Sequence, residues 1–310
     1  MSQIAFLFPG QGSQATGMGK ALADTFPVAK AVFEEADDAL GFSISRLCFE
    51  GPDDQLKLTA NTQPALLTVS VAAWRVLNDL GYRANYVAGH SLGEYSALVA
   101  AGGLQFADAV RLVHHRGQYM QEAVPAGVGA MAAILRMPLE KLDGVLKAAA
   151  QGEVVSAANF NSPDQVVIAG HVGAVNRAVE LAKAAGVKRA IILPVSAPFH
   201  CALMEPAQAK LKLDLDATEF SDLATPLVNN WRAAIIHTGA EAREGLFHQV
   251  PGSVLWLNIV RKLIEAGVER FVEIGAGAVL CGLLKNIDAT RRCARFGEPA
   301  DLEKVRELLA

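Results

Sequence analysis

Residues 86–100, Tyr-Val-Ala-Gly-His-Ser-Leu-Gly-Glu-Tyr-Ser-Ala-Leu-Val-Ala, decide the fold. The apolar run 86–88 predicts the end of a buried strand, and the residues from Glu94 onward predict a helix. Between them lies the pattern G-x-S-x-G, whose two glycines allow a sharp strand-to-helix turn. Such a turn exposes the hydroxyl of Ser91, which is therefore the candidate nucleophile. A plain tight turn is the alternative interpretation.

The composition is that of a chain with a large core. It has 310 residues, of which 52% are hydrophobic and 19% charged, so it can form one large domain or two smaller ones. The net charge of −4 predicts no bulk attraction to nucleic acid or acidic membranes. Without a signal peptide or a run of 18 apolar residues, we expect a cytoplasmic protein that does not bind membranes.

The four cysteines are widely scattered, at Cys48, Cys201, Cys281 and Cys293. No C-x-x-C pair and no His/Cys cluster has the spacing of metal ligands, so we expect no metal site. Reduced thiols are the expected state of all four.

Predicted strands alternate with predicted helices along most of the chain. Ile4–Phe8 is expected to be a buried strand, and a strand at Arg270–Ile274 is followed by a glycine-containing loop. Helices are expected near 18–40, 63–80, 106–123, 253–266 and 278–287. The alternation predicts an α/β fold with a parallel sheet covered on both faces. The tail from about residue 289 is expected to be loosely organised.

The middle of the chain follows a different order. Strands are expected at 129–135, 154–159, 165–169 and 188–195, with helices at 138–150 and 173–185. This is the β-α-β-β-α-β order of ferredoxin-like units. We therefore predict two domains, one formed by residues 1–126 and 197–310 and one formed by an insertion, 127–196.

A serine hydroxyl needs a positioned base to become a nucleophile. His200 is the candidate, because it lies in a proline-containing loop where the insertion returns to the main domain. His90 is next to Ser91 but is expected to point elsewhere. Either Asp164 or a backbone carbonyl could orient the base. Arg116, on a mostly apolar helix, is either a snorkelling surface residue or a partner for a planar anion.

Several spaced motifs resemble those of malonyl-CoA:acyl carrier protein transacylases, from about residue 3 to residue 288. They are Gly10-Gln11-Gly12-Ser13-Gln14, Gly89-His90-Ser91-Leu92-Gly93-Glu94, Arg116-Gly117, Asn159-Phe160-Asn161-Ser162-Pro163, Ser196-Ala197-Pro198-Phe199-His200 and Glu273-Ile274-Gly275. The resemblance implies an α/β-hydrolase-like core with a small inserted ferredoxin-like subdomain. It also implies that Ser91 carries the malonyl group as an ester, with His200 as general base and then acid.

The resemblance assigns further residues to the site. It implies an oxyanion hole formed by the backbone N–H groups of Gln11 and Leu92. The main-chain carbonyl of Gln249 would orient the histidine, Arg116 would pair with the malonyl carboxylate, and Asn161 would bind substrate.

The implied reaction is ping-pong transfer from malonyl-CoA to the phosphopantetheine thiol of acyl carrier protein, supplying fatty acid synthesis. The expected partners are acyl carrier protein and the coenzyme A thioester, with no cofactor, and the expected state is a monomer. The alternatives are the malonyl transferase subunit of malonate decarboxylase, a discrete polyketide acyltransferase, a serine hydrolase or thioesterase, and a silent scaffold that binds carrier protein.

Overall fold

The computed structural model describes residues 3–195 and 197–310. The first half of the chain alternates helices with two strands. Its elements are β1 (Gln3–Phe8), α1 (Lys20–Thr25), α2 (Pro27–Leu40), α3 (Ile44–Glu50), α4 (Asp53–Leu56), α5 (Thr59–Asp79), β2 (Tyr86–Gly89), α6 (Gly93–Ala100) and α7 (Phe106–Glu122).

A β-α-β-β-α-β run follows, and helices dominate the remainder. The run is β3 (Gly129–Leu135), α8 (Leu139–Ala150), β4 (Val155–Ser162), β5 (Gln165–His171), α9 (Val172–Ala184) and β6 (Arg189–Ile192). The remainder is α10 (Glu205–Ala217), β7 (Leu227–Val228), β8 (Ile235–Ile236), α11 (Gly239–Gln249), α12 (Trp256–Glu265), β9 (Val268–Ile274), α13 (Val279–Ile287), β10 (Arg292–Phe296) and α14 (Leu302–Leu309).

The larger sheet has six strands in the order β10-β9-β1-β2-β7-β8. All its neighbours are parallel except β7 and β8. Successive side chains of a strand point to opposite faces. In β1, Phe6 and Phe8 accordingly pack into one core while Ala5 and Leu7 pack into a second core on the other face. The predicted α/β class, with its parallel sheet covered on both faces, is confirmed.

The smaller sheet is antiparallel, with the order β4-β5-β3-β6 and its own apolar core. This is the predicted ferredoxin-like order, and all four strands lie within residues 129–192. Strand β4 also pairs with the other part of the molecule, because Phe160 N donates to Val254 O (2.9 Å) and Val254 N donates to Ala158 O (2.8 Å). The predicted boundary at Ser196 lies outside the described residues.

Two prolines account for differences in the predicted helices. The helix expected over 18–40 is divided at Phe26 because Pro27 begins α2 as its first residue. Pro64 lies inside α5, where it cannot donate to the carbonyl of Ala60. That carbonyl accepts from Nδ1 of His114 on α7 instead (2.8 Å), so the helix continues through the proline.

The prediction of a loosely organised tail is wrong. Strand β10 extends the large sheet by pairing with β9, and α14 buries Val305 and Leu308. The tail is rich in charge because β10 is an edge strand, with Arg292 and Arg295 exposed and only Phe296 fully buried. Because β10 is held by backbone pairing with β9, its sequence needs no strong apolar pattern.

The expectation that all cysteines are reduced is also wrong. Cys281 at the start of α13 forms a disulfide with Cys293 in β10, with 5.6 Å between their Cα atoms. The pair forms because α13 returns the chain to the sheet edge, which sequence spacing does not reveal. Cys48 and Cys201 are free and buried. In the ranges 3–195 and 197–310, no helix is long and apolar enough to span a bilayer.

Candidate active site

The turn between β2 and α6 has the geometry that its glycines predict. A Cβ at Gly89 would overlap the backbone of Gly93, and a Cβ at Gly93 would overlap the carbonyl of Phe8. Ser91 itself has φ 52°, in the left-handed region that is unfavourable for a residue with a Cβ. The strand-to-helix interpretation is therefore correct, and the plain tight turn is not.

Asn230 holds this strained turn from the loop after β7. Its Oδ1 accepts from Ser91 N (2.7 Å) and its Nδ2 donates to Gly89 O (2.7 Å). The side chain is fully buried. Asn230 was not predicted from the sequence. A polar residue just after a strand that pairs in parallel with β2 was the available signal, because parallel strands end at the same edge of the sheet.

His200 is placed to accept the proton of Ser91. Its Nε2 lies 2.7 Å from Ser91 Oγ, and its Nδ1 lies 2.9 Å from the carbonyl oxygen of Gln249 and 3.1 Å from that of Gly252. Carbonyl oxygens only accept hydrogen bonds, so Nδ1 carries the hydrogen and Nε2 is the free base. Gln249 is the last residue of α11, where helical carbonyls lack an intrahelical partner.

Burial is the main reason why the imidazole of His200 has a low pKa. It lowers the pKa of the imidazole to about 3, with a further contribution from the positive charge of Arg116. The ring is therefore neutral in the resting protein, as a general base must be. Asp164 lies in the hairpin between β4 and β5, and its carbonyl accepts from Arg136 N (2.7 Å). The acceptors of Nδ1 are main-chain carbonyls rather than this carboxylate.

Arg116 is buried next to the serine rather than exposed at the surface. Its Nη2 donates to Ser91 Oγ (3.1 Å) and to Gln249 Oε1 (2.9 Å), and its Nη1 donates to Gln63 Oε1 (2.6 Å). Its guanidinium carbon also lies 5.5 Å from the centre of the Tyr95 ring. Burial lowers the pKa of the guanidinium, but an arginine stays charged in proteins. The snorkelling alternative is therefore wrong.

The loop after β1 lies against the turn that carries Ser91. Phe8 pairs with Gly89 across the parallel strands β1 and β2, so residues 9–11 and 90–92 leave the sheet side by side. A Cβ at Gly10 would overlap the carbonyl of His90. Gln11 follows Gly10 in this loop, and Leu92 precedes the first residue of α6. Helix N-termini favour negative charge.

Asn161 comes from strand β4 and contacts the other neighbour of the serine. Its Oδ1 lies 2.8 Å from Nε2 of His90, which therefore donates to it. Burial lowers the pKa of His90, and the hydrogen bond to Asn161 opposes that shift. His90 thus points toward Asn161, a contact that was not predicted. Among the described residues no three His, Cys, Asp or Glu side chains form a group that could hold a metal ion.

Comparison with known proteins agrees with this geometry. The acyl transferase domain model matches residues 5–292. The malonyl CoA-acyl carrier protein transacylase of Bacillus subtilis (strain 168) is 49% identical, covering 100% of this chain and 98% of that protein. The corresponding Escherichia coli (strain K12) protein is 48% identical over 99% of this chain and 100% of its own length.

Solved structures of relatives superpose closely. An acyl carrier protein S-malonyltransferase from Vibrio cholerae has a TM-score of 0.96 at 47% identity, covering 98% of this chain and 100% of that chain. A malonyl-transacylase in complex with a type II PKS acyl-carrier protein has a TM-score of 0.96 at 48% identity, covering 99% of each chain. The chain therefore belongs to the malonyl-CoA:acyl carrier protein transacylases of the acyl transferase domain family.

Proposed function

We propose that this protein transfers the malonyl group of malonyl-CoA to the phosphopantetheine thiol of acyl carrier protein through an ester on Ser91. The observation that carries the proposal is the arrangement around one oxygen atom. Ser91 Oγ lies 2.7 Å from the free base nitrogen of His200 and 3.1 Å from the guanidinium of Arg116. A nucleophile, a base and a fixed cation therefore meet at a single point.

In the first half-reaction, Ser91 Oγ attacks the thioester carbonyl carbon while Nε2 of His200 takes its proton. The tetrahedral intermediate collapses by breaking the carbon–sulfur bond, and the imidazolium returns the proton to the departing thiolate of coenzyme A. The carbonyls of Gln249 and Gly252 keep Nδ1–H in place, so the imidazolium that forms is already oriented.

The negative charge of the intermediate develops on the former carbonyl oxygen. We assign its stabilisation to the backbone N–H groups of Gln11 and Leu92; the pairing of Phe8 with Gly89, from which both loops leave the sheet, supports this assignment. Loss of one such fixed donor raises the barrier by roughly 3–4 kcal/mol. The N-terminus of α6 adds a favourable dipole at the same place.

Arg116 is proposed to bind the free carboxylate of the malonyl group. A guanidinium presents paired donors that match the two oxygens of a carboxylate, and it cannot deprotonate. Nη2 already touches Ser91 Oγ, so the acyl group on that oxygen extends toward the fork. An acetyl group has no carboxylate to offer, which would leave the buried cation without its anionic partner. Asn161 is proposed to contact the substrate from β4.

The second half-reaction reverses the first, with the thiol of the carrier in place of coenzyme A. We propose that a local basic surface receives the carrier. The candidates are Lys183, Lys188 and Arg189 in one cluster and Arg291, Arg292 and Arg295 in another. Lys183, Arg291 and Arg295 already pair with acidic neighbours. Among described residues, the remaining three form no ion pair, and all three are exposed.

We propose that residues 127–196 form a subdomain inserted into a catalytic domain of 1–126 and 197–310, and that the enzyme acts as a monomer. It needs no cofactor in this scheme, because every proton transfer is made by His200 and every charge is met by fixed donors. We further propose that the malonyl carrier product supplies fatty acid synthesis.

Initial velocities over a grid of malonyl-CoA and phosphopantetheinylated carrier concentrations test the function. A covalent intermediate that forms before the carrier binds predicts parallel double-reciprocal lines and transfer that is lost in Ser91→Ala. Sustained release of coenzyme A without any carrier would instead identify a hydrolase and overturn the proposal. Charge reversal at both basic clusters should raise the KM for carrier while leaving that for malonyl-CoA unchanged.

A further inference from the structure

Glu94 is a buried carboxylate that the scheme above does not use. It lies in the first turn of α6, three residues after the nucleophile, and only 1% of its surface is exposed. Its Oε2 accepts from Nε2 of Gln249 (2.7 Å) and from the backbone N of Asn230 (3.1 Å). Its Oε1 has no hydrogen-bond partner within residues 3–195 and 197–310.

Keeping a carboxylate at this place is costly. Burial raises the pKa of Glu94 to about 7, against the opposing effects of the hydrogen bonds from Gln249 and Asn230 and of the charge of Arg116. A neutral side chain of the same shape would fill the space without this desolvation penalty. A carboxyl group retained at this place therefore needs an explanation other than packing.

The side-chain amide of Gln249 connects this carboxylate to Arg116. Its Nε2 donates to Glu94 and to the carbonyl oxygen of Ser91 (3.0 Å), and its Oε1 accepts from Nη2 of Arg116 (2.9 Å). An ionised carboxylate only accepts hydrogen bonds, so it fixes which end of the amide faces it. The reversed amide would place an NH₂ group against the donors of the guanidinium.

The direction of this amide determines how the guanidinium is held. Nη1 is anchored by the amide oxygen of Gln63 and Nη2 by that of Gln249, which leaves Nη2 pointing at Ser91 Oγ. If the oxygen of Gln249 turned away, one of these two anchors would be lost. The fork would then be less well oriented toward an acyl group on the serine.

We propose that Glu94 is a positioning residue for acyl selectivity: through the amide of Gln249 it holds Arg116 in the orientation that receives a carboxylate on the acyl donor. The inference rests on the proposed function, because it concerns the same acyl site. A purely structural role for Glu94 at the start of α6 is the competing explanation. That role would affect all acyl donors alike, whereas positioning of Arg116 affects only donors that carry a carboxylate.

The test measures kcat and KM for malonyl-CoA and acetyl-CoA in wild type, Glu94→Gln and Glu94→Asp. Glutamine matches the shape of the glutamate but can donate as well as accept, and aspartate keeps the charge but withdraws it from Gln249. We expect both variants to raise the KM for malonyl-CoA about tenfold, the effect of weakening one hydrogen bond to a charged group. The KM for acetyl-CoA should change less than about twofold, because that donor offers Arg116 no carboxylate.

Two further variants separate this relay, from Glu94 through Gln249 to Arg116, from a simple loss of stability. Glu273→Gln is the matched control, since Glu273 is also fully buried and accepts two backbone N–H groups, from Leu280 and Cys281, at α13. It should leave the malonyl-to-acetyl ratio unchanged. Gln249→Met removes the connecting amide while keeping the main-chain carbonyl for His200. In that background Glu94→Gln should cause no further loss of selectivity.

The outcomes distinguish this inference from the function on which it rests. A tenfold loss of selectivity in Glu94→Gln that disappears in the Gln249→Met background supports the relay. Equal losses for both donors, or an unchanged ratio beside a wild type that prefers malonyl-CoA, overturn the relay alone. A wild type that does not distinguish the two donors overturns the carboxylate-binding role of Arg116 and the relay with it, whereas a wild type without Ser91-dependent transfer overturns the proposed function itself. If Glu94→Gln does not fold, Glu94→Asp decides by the same criteria.

Discussion

Replacing Asn230 with alanine should show how far the stability of the protein and the acylation of Ser91 depend on the hydrogen bonds that hold the turn. The substitution leaves Ser91 N and Gly89 O without their side-chain partners, both at 2.7 Å in the wild type. Ser91 then keeps its unfavourable φ of 52° without the contact that holds it. The backbone N of residue 230 still donates to Glu94, so the carboxylate is not disturbed directly.

The expected loss in the free energy of unfolding follows from these two backbone groups, which lose their hydrogen-bond partners. Each buried backbone group without a partner costs about 1–3 kcal/mol, which gives a destabilisation of about 4 kcal/mol in total. For a chain of 310 residues this corresponds to a fall in Tm of about 6 °C. A relaxed turn displaces the serine hydroxyl, and a displacement of about 1 Å lowers the rate of acylation about 10²-fold.

The assay combines thermal unfolding with the rate of serine acylation by malonyl-CoA, measured by rapid acid quench and intact mass. Asn229→Ala is the matched control, because Asn229 is also buried but its Oδ1 accepts from Arg232 N and Ala234 N in the adjacent turn. It should lower Tm without slowing acylation. An Asn230→Ala protein that is acylated at the wild-type rate would refute the reasoning, whatever its Tm.

Three further predictions concern charges at the site. Arg116→Lys keeps the charge but loses the fork, so kcat/KM for malonyl-CoA should fall about 10²-fold while that for acetyl-CoA changes little in the same kinetic assay. The pKa of His200 is about 3 when folded and 6.5 when unfolded, so the unfolded chain binds more protons between these values. The free energy of unfolding of the wild type should therefore fall as pH falls from 6.5 toward 3, by up to about 1.4 kcal/mol per pH unit. That of His200→Gln should fall less over the same range, and urea titration measures both. The pKa of Glu94 is raised from 4.5 to about 7, so its favourable contribution is present at low pH and lost as pH rises through 7. Glu94→Gln should accordingly gain up to about 3 kcal/mol relative to wild type between pH 4.5 and pH 8, and a pH-independent difference would contradict that value.

The sequence predicted the elements whose cause is local. The turn at Ser91 follows from two glycines that nothing else could replace, and the alternation of strands and helices predicted the parallel sheet. The ferredoxin-like order was visible because each of its strands is a short apolar run. Strand β10 and its disulfide were missed because both depend on a long-range pairing with β9.

Site residues could be predicted where a reactive or charged side chain lies in a recognisable sequence motif. Ser91, His200 and Arg116 were named from such motifs, and they lie together in the structure. Asn230 and the side-chain amide of Gln249 were not identified, since an amide that orients other groups has no characteristic spacing. Their importance comes from where three separate segments meet, which only the folded chain reveals.

The central claim is that Ser91 carries the acyl group, and the most direct measurement is the intact mass of the protein after incubation with malonyl-CoA alone and quenching in acid. One malonyl adduct per chain on the wild type, absent from Ser91→Ala and much weaker with acetyl-CoA, is the result expected from this geometry. A wild type that acquires no adduct, or a Ser91→Ala protein that is still labelled, would contradict it.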